Sequence, residues 1–243
     1  MTDNFINIPI SRWNDHVCRF MPVHRLIEFF STNQFTLTKP KLWDDPFENL
    51  FLKSPILTKT GRENRFLMRE YIFGQCWTLE RRELDAMWRI YTPNKDGVRI
   101  KASIRGLLRR LQKSCRKYPY TSCFIGKVKY LSQKKLITHF RQSRVIDGSS
   151  EKYAETLLVK RVAFKYEKEV RLIYLDKNME TEEDYARFQI DPEKLISEIL
   201  FDPRMDNNLY KVYFDYLKRK RFPGKIKKST LYDPPKRFPV ELP

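Results

Sequence analysis

The chain is organised around Ala163-Phe164-Lys165-Tyr166-Glu167-Lys168-Glu169-Val170-Arg171-Leu172-Ile173-Tyr174-Leu175. The apolar second half of this stretch predicts a strand that begins near Val170. Because side chains alternate between the two faces of a strand, Glu167, Glu169 and Arg171 are expected on one face. Bringing two carboxylates and a guanidinium together costs free energy unless they pair or take part in chemistry. Three solvated charges on an edge strand are the alternative interpretation.

The length of 243 residues suits one α+β domain, here expected over residues 1–243, with a basic C-terminal helix and a Pro-rich tail from about residue 207 to 243. Hydrophobic residues make up 41% of the chain and aromatic residues 14%, which is enough for a core. No apolar run approaches the roughly 18 residues of a membrane span. Four cysteines without CxxC spacing and only three histidines favour a cytoplasmic protein without a metal centre.

The net charge of +18 is concentrated in two blocks. Residues 97–146 contain 14 Lys and Arg and no acid, and residues 216–232 contain seven more, again with no acid. Without those 21, the 48 basic residues fall to 27, against 30 acidic residues. Like charges repel, so this segregation favours a polyanionic partner such as DNA or RNA over a basic surface that only aids solubility.

The first basic block contains a predicted helix that Ser103 caps and that runs to about Lys117. Leucines at 107, 108 and 111 share one face and are expected to point inward. The opposite face is expected to present its cations to nucleic-acid phosphates. These cations are Arg105, Arg109, Arg110, Lys113, Arg116 and Lys117.

Five other helices are predicted, over residues 23–30, 63–72, 80–91, 151–162 and 207–221. Earlier in the chain, an Asp-Pro turn lies within Trp43-Asp44-Asp45-Pro46-Phe47-Glu48. Two large aromatic residues bracket that turn, so we expect them to be mostly buried and to hold it beside the Glu167–Arg171 strand. Alternation of helices with short strands along the chain favours the α+β class.

These motifs together resemble a bacterial domain family of unknown function. The family pattern runs N-D-P-F-E, then M-W-x-x-Y with G-V, then E-x-E-x-R-L-I. The corresponding segments are residues 44–48, 87–91, 97–98 and 167–173, and Asp44 stands where the family usually has Asn. The resemblance spans roughly residues 17–205.

That family is in turn distantly similar to ADP-ribosyltransferases, which implies a split β-sandwich with flanking helices and NAD as substrate. The resemblance places Arg19 on the first strand and Glu167 and Glu169 at the E-x-E position, and these three are the expected catalytic residues. A counterpart of the Ser-Thr-Ser that many such enzymes carry on the second strand is not evident. The residues expected to bind or brace NAD are Arg19, Trp43, Asp45, Phe47, Glu48, Trp88, Tyr91 and Arg171.

The chemistry of such a site follows from the charge that develops when the nicotinamide–ribose bond breaks. A carboxylate beside the ribose, here Glu169, stabilises that positive charge. A second carboxylate, here Glu167, orients or deprotonates the acceptor. Arg19 is expected to hold the dinucleotide's phosphates or ribose.

The leading hypothesis is therefore a cytoplasmic ADP-ribosyltransferase-like enzyme that acts on, or is guided by, nucleic acid. Among bacterial proteins this combination resembles toxins of toxin–antitoxin or anti-phage systems, which implies an antitoxin or other defence-system partner protein. Two alternatives remain open. In one, carboxylates of the Asp-Pro turn and of the E-x-E pair hold Mg²⁺ in a nuclease. In the other, the basic helix binds nucleic acid and the E-x-E pair is structural.

Overall fold

A computed structural model describes residues 4–48, 50–57, 63–64, 66–116, 121–142, 149–176, 178 and 183–235. Its strands are β1 (Phe5–Ile6), β2 (His16–Pro22), β3 (Gln34–Thr38), β4 (Ile56–Leu57), β5 (Glu63–Asn64), β6 (Ile72–Thr78), β7 (Gly97–Ser103), β8 (Thr121–Lys127), β9 (Lys129–Leu131), β10 (Val159–Arg161), β11 (Glu169–Asp176), β12 (Tyr185–Gln189), β13 (Glu198–Phe201) and β14 (Lys225–Lys228). Its α-helices are α1 (Val23–Thr32), α2 (Leu50–Lys53), α3 (Asp85–Tyr91), α4 (Ile104–Cys115), α5 (Gln133–Gln142), α6 (Ser150–Thr156), α7 (Pro192–Leu195) and α8 (Asn207–Arg219).

Ten of the strands form one mixed sheet in which β6 is the branch point. The main path runs β1-β8-β11-β6-β2-β7-β13-β14, while β3 pairs with β6 off this path and carries β12 on its other side. Thr78, at one end of β6, pairs with Cys18 of β2, and Gly74, in its middle, pairs with Thr38 of β3. The strands β2 and β3 therefore diverge from the same neighbour, and a cleft opens between them.

Strand β11 lies at the centre of this sheet, between β6 and β8. All eight of its residues are buried, as its run of Val, Leu, Ile and Tyr predicts for a strand covered on both faces. Glu169 and Asp176 are the charged residues at its two ends, and Arg171 is the charged residue within the apolar run, opposite Cys76 on one side and Gly126 on the other. The fully buried charge in the middle of an apolar strand requires partners, which nearby segments supply.

Helix α4 packs on the sheet as its sequence predicts. The Ser103 hydroxyl accepts a hydrogen bond from the Gly106 amide, which caps the first turn. Leu107, Leu108 and Leu111 are buried. Among the described residues, no helix combines the length and the apolar composition that a membrane span needs.

Several predicted elements differ from the structure. Residues 63–72 form the short strand β5, a 3₁₀ turn over Leu67–Glu70 and the start of β6, not a helix. Helix α3 occupies only the second half of residues 80–91. The helix predicted over 151–162 ends at Thr156 and gives way to β10, where β-branched and long side chains pair with β9. In each case tertiary contacts override local periodicity.

The E-x-E segment differs in a way that affects the site. Strand β11 begins at Glu169, and Glu167 ends a 3₁₀ helix over Val162–Glu167. Lys168 between them adopts a left-handed conformation with φ of 46°. The two carboxylates therefore do not share a strand face by alternation. They meet because this turn swings Glu167 back toward the start of the strand.

Candidate active site

A buried ion cluster lies at the start of β11. Lys160, on β10, places its Nζ 2.6 Å from Glu48 Oε1, 2.5 Å from Glu167 Oε2 and 3.4 Å from Glu169 Oε2. All four side chains are less than a tenth exposed. One ammonium thus contacts three carboxylates, one from the Asp-Pro turn and two from the E-x-E segment.

Arg171, on β11, is the second cation of the buried ion cluster. Its Nε and Nη2 lie 3.1 and 2.8 Å from the two carboxylate oxygens of Glu169, a bidentate pair within one strand. Nη2 also lies 3.1 Å from Glu48 Oε2, and Nη1 donates to the Leu157 carbonyl at 2.6 Å. The cluster therefore contains two cations and three carboxylates, and removal of either cation leaves buried carboxylates without compensation.

The Asp-Pro turn supplies Glu48 to this cluster. The Asp45 carboxylate accepts a hydrogen bond from the Phe47 amide, which closes the turn. Its other partner is Arg161, with Nη2 2.9 Å from Oδ1, and the Arg161 guanidinium lies 4.3 Å from the centre of the Phe47 ring. As predicted, the turn lies beside the E-x-E segment. Trp43 and Phe47 are both mostly but not fully buried, and the Phe47 ring packs against a partly exposed arginine.

Trp43 covers the guanidinium of Arg171, whose Cζ lies 4.4 Å from the centre of the indole. The ring is mostly buried and donates through Nε1 to Thr38 Oγ1 at 3.2 Å. Gly74 on β6 makes room for it, since a Cβ there would lie 2.6 Å from Trp43 Cζ2. A glycine in the middle of a central strand is thus explained by the close approach of an aromatic ring.

Burial and charge act in opposite directions on the two glutamates. Burial raises the pKa of Glu167, and its bond to Lys160 offsets this only in part. Burial also acts to raise the pKa of Glu169, but Arg171 and Lys160 outweigh it and hold that pKa below its usual value. The E-x-E pair therefore contains one carboxylate held as an anion and one with raised proton affinity, the division expected of an electrostatic stabiliser and a base.

Two cavities adjoin the buried ion cluster. A small pocket of about 110 Å³ is lined by Arg19, Cys76, Thr78, Glu167 and Glu169, among others. A long cleft of about 490 Å³ runs between α1, β2, β3 and β12. Arg19, Phe20 and Tyr91 line both, so the two cavities are neighbours. The volume of the long cleft lies in the range typical of ligand sites, roughly 300–1,000 Å³.

Arg19 lies where the small pocket meets the long cleft. Its Nη1 is buried and has no hydrogen-bond partner among the described residues. Burial lowers the pKa of this guanidinium, which indicates that its charge lacks a nearby counter-ion in the protein. A buried donor of this kind is available to a ligand oxygen, and a phosphate or ribose hydroxyl fits it. Arg25 and Arg187 also line the long cleft and are paired with Glu28 and Glu183, so Arg19 is the cation there whose Nη1 has no described partner.

Further contacts to the E-x-E pair come from Tyr91, which the resemblance implied as an NAD-binding residue, and from Thr78 and Cys76, which the sequence reasoning missed. The Tyr91 hydroxyl donates to Glu167 Oε1 at 3.1 Å, and Thr78 donates to the Glu167 carbonyl at 2.5 Å. The Cys76 thiol hydrogen-bonds Glu169, and burial followed by that carboxylate raises the pKa of the thiol. Cys76 and Thr78 belong to β6, which pairs with β11 and brings these small polar side chains beside the E-x-E pair.

The predicted NAD-binding residues fall into two groups. Arg19 and Tyr91 line the cavities directly, whereas Trp43, Glu48 and Arg171 belong to the buried ion cluster or its cover. Trp88 is fully buried against Phe20 and has no ring surface accessible to a ligand. Phe20 and Tyr91 line the small pocket, and their rings lie 6.4 Å apart in a stacked arrangement.

Two of the α4 cations that were expected to be exposed are partly buried. Arg109, Lys113 and Arg116 are exposed as predicted. Arg105 is half-buried over the Trp13 ring, and Arg110 is half-buried because it donates to the Lys194 carbonyl at 2.5 Å. These partners come from other segments, which helical periodicity cannot reveal. Lys117 lies outside the described residues.

The arrangement of carboxylates bears on the nuclease hypothesis. In the described part of the chain, no three His, Cys, Asp or Glu side chains are arranged to hold a metal ion. The oxygens of Glu48, Glu167 and Glu169 instead face Lys160 and Arg171. Asp45, the fourth carboxylate of that hypothesis, is paired with Arg161.

Part of this chain is similar to a family without an assigned activity. The family model described as "Protein of unknown function (DUF2971)" matches residues 87–172, which include most of α3, the first residues of β11 and the E-x-E pair. Among curated proteins, none matches the chain.

Similar solved structures include three of DarT from Thermus sp. 2.9. The complex with ADP-ribosylated ssDNA has a TM-score of 0.39 and 10% identity, and covers 92% of this chain and 96% of that one. The NAD⁺ complex has a TM-score of 0.36 and 11% identity, with 89% and 96% covered. The carba-NAD⁺ complex has a TM-score of 0.35 and 13% identity, with 91% and 97% covered. At such low sequence identity and TM-score, these structures do not assign a function, and the functional conclusion depends on the residues of the site.

Proposed function

We propose that this chain is a cytoplasmic ADP-ribosyltransferase that consumes NAD and acts on nucleic acid. The observation that carries the proposal is the convergence of Glu167, Glu169 and the unpartnered Arg19 Nη1 on one small pocket at the end of a ligand-sized cleft. The divergence of β2 and β3 from β6 also supports the split β-sandwich that the sequence resemblance implies.

In this proposal, the long cleft holds the dinucleotide. Arg19 binds a phosphate or ribose oxygen through Nη1, and Tyr91 and Phe20 border the nicotinamide end. The small pocket then brings the nicotinamide ribose against the E-x-E carboxylates. Each group comes from a strand or helix of the scaffold, which holds it in a fixed position.

The bond between ribose C1′ and the nicotinamide nitrogen breaks, and its electron pair leaves with nicotinamide. Positive charge develops on the ribose, and the Glu169 carboxylate stabilises it. An acceptor oxygen or nitrogen forms a new bond to C1′ and passes its proton to Glu167. The raised pKa of Glu167, caused by burial, suits it to hold that proton.

The acceptor is proposed from charge. The 14 cations and no acids of residues 97–146 favour a phosphate-rich polymer over a neutral or basic protein. A toxin or anti-phage role, with an antitoxin or other defence protein as partner, follows from the sequence resemblance. Its test is bacterial growth after induction of the wild-type chain and of Glu169→Gln, since only the first should arrest growth.

The enzymatic proposal is tested by nicotinamide release. Purified protein is incubated with NAD and with DNA, RNA or no acceptor, and free nicotinamide is measured by chromatography. We expect release from NAD but not from NADH, because reduced nicotinamide is uncharged in the ring and leaves poorly. Parallel incubations with Mg²⁺ or Mn²⁺ and no NAD measure nuclease activity. If nucleic acid is cleaved in these incubations and no nicotinamide is released from NAD, the transferase proposal is wrong and the nuclease hypothesis is favoured.

A further inference from the structure

A third cavity, which we call the basic cavity, lies between α4, the end of β12 and α7. Its volume is about 590 Å³. Four of its lining residues are cations, and Asp191 is its one carboxylate among the described lining residues. The cations are Arg110, Lys113, Arg187 and Lys194. They come from three elements that are distant in sequence, so the fold creates the concentration of charge.

Three of the four cations of the basic cavity contact other groups of the protein. Arg110 donates to the Lys194 carbonyl at 2.5 Å, which ties α4 to α7. Lys194 pairs with Asp191 at 3.0 Å, and Arg187 pairs with Glu183 at 2.6 Å while lying 5.5 Å from the centre of the Tyr185 ring. Lys194 and Arg187 thus each pair with a solvent-accessible carboxylate, whereas Arg110 is paired with no carboxylate of a described residue.

The α4 side of the basic cavity carries charge that the protein does not neutralise. Lys113 lines the cavity, and Arg109 and Arg116 lie on the same helix or at its C-terminal end. None of the three is ion-paired with a carboxylate of a described residue. Exposed cations without a described carboxylate partner are suited to contact successive phosphates of a polymer.

The basic cavity also adjoins the proposed NAD site. Arg187 lines both the basic cavity and the long cleft. A polymer bound in the basic cavity would therefore continue past Arg187 to the mouth of the cleft. The aromatic ring among its lining residues, Phe188, is buried and offers no surface for base stacking. Recognition here would consequently involve phosphates rather than bases.

We propose that the basic cavity binds the phosphodiester backbone of a nucleic acid without sequence preference and delivers the strand to the long cleft. Binding itself stands apart from NAD chemistry, whereas the delivery rests on the proposed function. The site adds Arg187 and Lys194 to the α4 cations and gives the nucleic acid a defined position on the protein.

The test compares two double variants with the same change in charge. Lys113→Glu with Lys194→Glu reverses two cations of the basic cavity. Lys53→Glu with Lys211→Glu, the surface variant, reverses two exposed cations that lie outside both basic blocks. Fluorescence anisotropy measures the affinity of each protein for a labelled DNA strand, a DNA duplex and an RNA strand of mixed sequence over a salt series.

We expect the basic-cavity variant to lose at least about tenfold in affinity at low salt and the surface variant to lose much less. The log–log salt slope of the basic-cavity variant should fall in magnitude by about 1.8 on duplex or about 1.4 on single strands, because two phosphates would no longer be neutralised. A second mixed sequence should bind equally well. Equal reductions in both variants, unchanged affinity in both, or a strong sequence preference would overturn the proposal.

Two further measurements keep the outcomes separate. Urea unfolding of each variant measures folding, and Lys113→Gln with Lys194→Gln repeats the test with half the charge change if the reversal impairs folding. Nicotinamide release measures the proposed function independently. NAD turnover without nucleic-acid binding removes only the basic-cavity proposal, and binding without turnover removes only the transferase.

Discussion

The buried ion cluster and the outer face of α4 use the same kinds of charged side chain under opposite conditions. In the cluster, Lys160 and Arg171 are at least nine-tenths buried and each contacts two or more carboxylates. On α4, Arg109 and Lys113 are exposed and pair with no described carboxylate. The first arrangement fixes the geometry of individual atoms, and the second produces a field that acts on a partner. Substitutions should therefore have different consequences in the two regions.

The largest expected effect is on stability at Arg171. Replacing it with Met leaves Glu169 and Glu48 buried without their shared cation, and should lower the free energy of unfolding by about 3–5 kcal/mol. The matched change Arg109→Met on α4 should alter it by no more than about 0.5 kcal/mol. Urea unfolding of both variants checks this. Similar losses of stability at the two positions would remove the distinction between the regions.

The next expected effect concerns pH. Glu167 must be ionised to accept a proton, so the transfer rate should fall as the pH drops through the pKa of Glu167. Burial raises this pKa, so the acid limb of the pH–rate profile should lie at higher pH than for an ordinary glutamate. Lys160 lowers the pKa of Glu167, so Lys160→Met should move the limb to still higher pH. Lys152→Met, which removes an exposed pair with Glu155, should leave the limb in place. A pH–rate profile decides, and an unmoved limb in Lys160→Met would contradict the assignment of Glu167.

A smaller effect is expected from packing around the cluster. Gly74→Ala would place a Cβ 2.6 Å from Trp43 Cζ2 and push the indole away from Arg171, at a cost of about 1–3 kcal/mol. Gly106→Ala on α4 would place a Cβ 2.6 Å from the Ser103 Oγ that caps the helix. Losing that cap costs about 1 kcal/mol, which the higher helix propensity of alanine offsets by about the same amount. Urea unfolding should therefore show a clear loss of stability at Gly74 and little change at Gly106. An equal response would mean that the indole can shift freely.

The smallest effect is expected from one hydrogen bond. Tyr91→Phe removes the donor to Glu167 Oε1 while retaining the ring beside Phe20. A hydrogen bond to a charged group contributes about 1.5 kcal/mol or more, which corresponds to roughly a tenfold loss in transfer rate. Steady-state kinetics with labelled NAD measures it. A wild-type rate in Tyr91→Phe would show that this hydroxyl only borders the pocket.

The two regions also differ in how far sequence predicts them. Helix α4 is predicted almost in full, because the Ser103 cap and the leucine spacing are local signals. The pairing of Glu169 with Arg171 follows from strand alternation, and the placement of the Asp-Pro turn beside the E-x-E segment is confirmed by the contact of Glu48 with Arg171.

What sequence does not predict depends on contacts between distant segments. The sequence pattern predicts a helix at Lys160, and the actual position of this residue among three carboxylates requires β10 to pair with β9. Glu167 reaches the cluster through a left-handed residue at Lys168, a conformation that no residue type there signals. Arg105 and Arg110 leave the outer face of α4 because Trp13 and the Lys194 carbonyl attract them.

The most direct test of the central claim separates binding from chemistry at Glu169. Isothermal titration calorimetry measures the affinity of wild-type protein, Glu169→Gln and the surface control Glu155→Gln for NAD, and nicotinamide release measures their turnover. Glu169→Gln should bind NAD as the wild type does and lose about 10²- to 10³-fold in turnover, while Glu155→Gln keeps both. Wild-type turnover in Glu169→Gln would contradict the claim that the buried ion cluster positions the carboxylate that cleaves NAD.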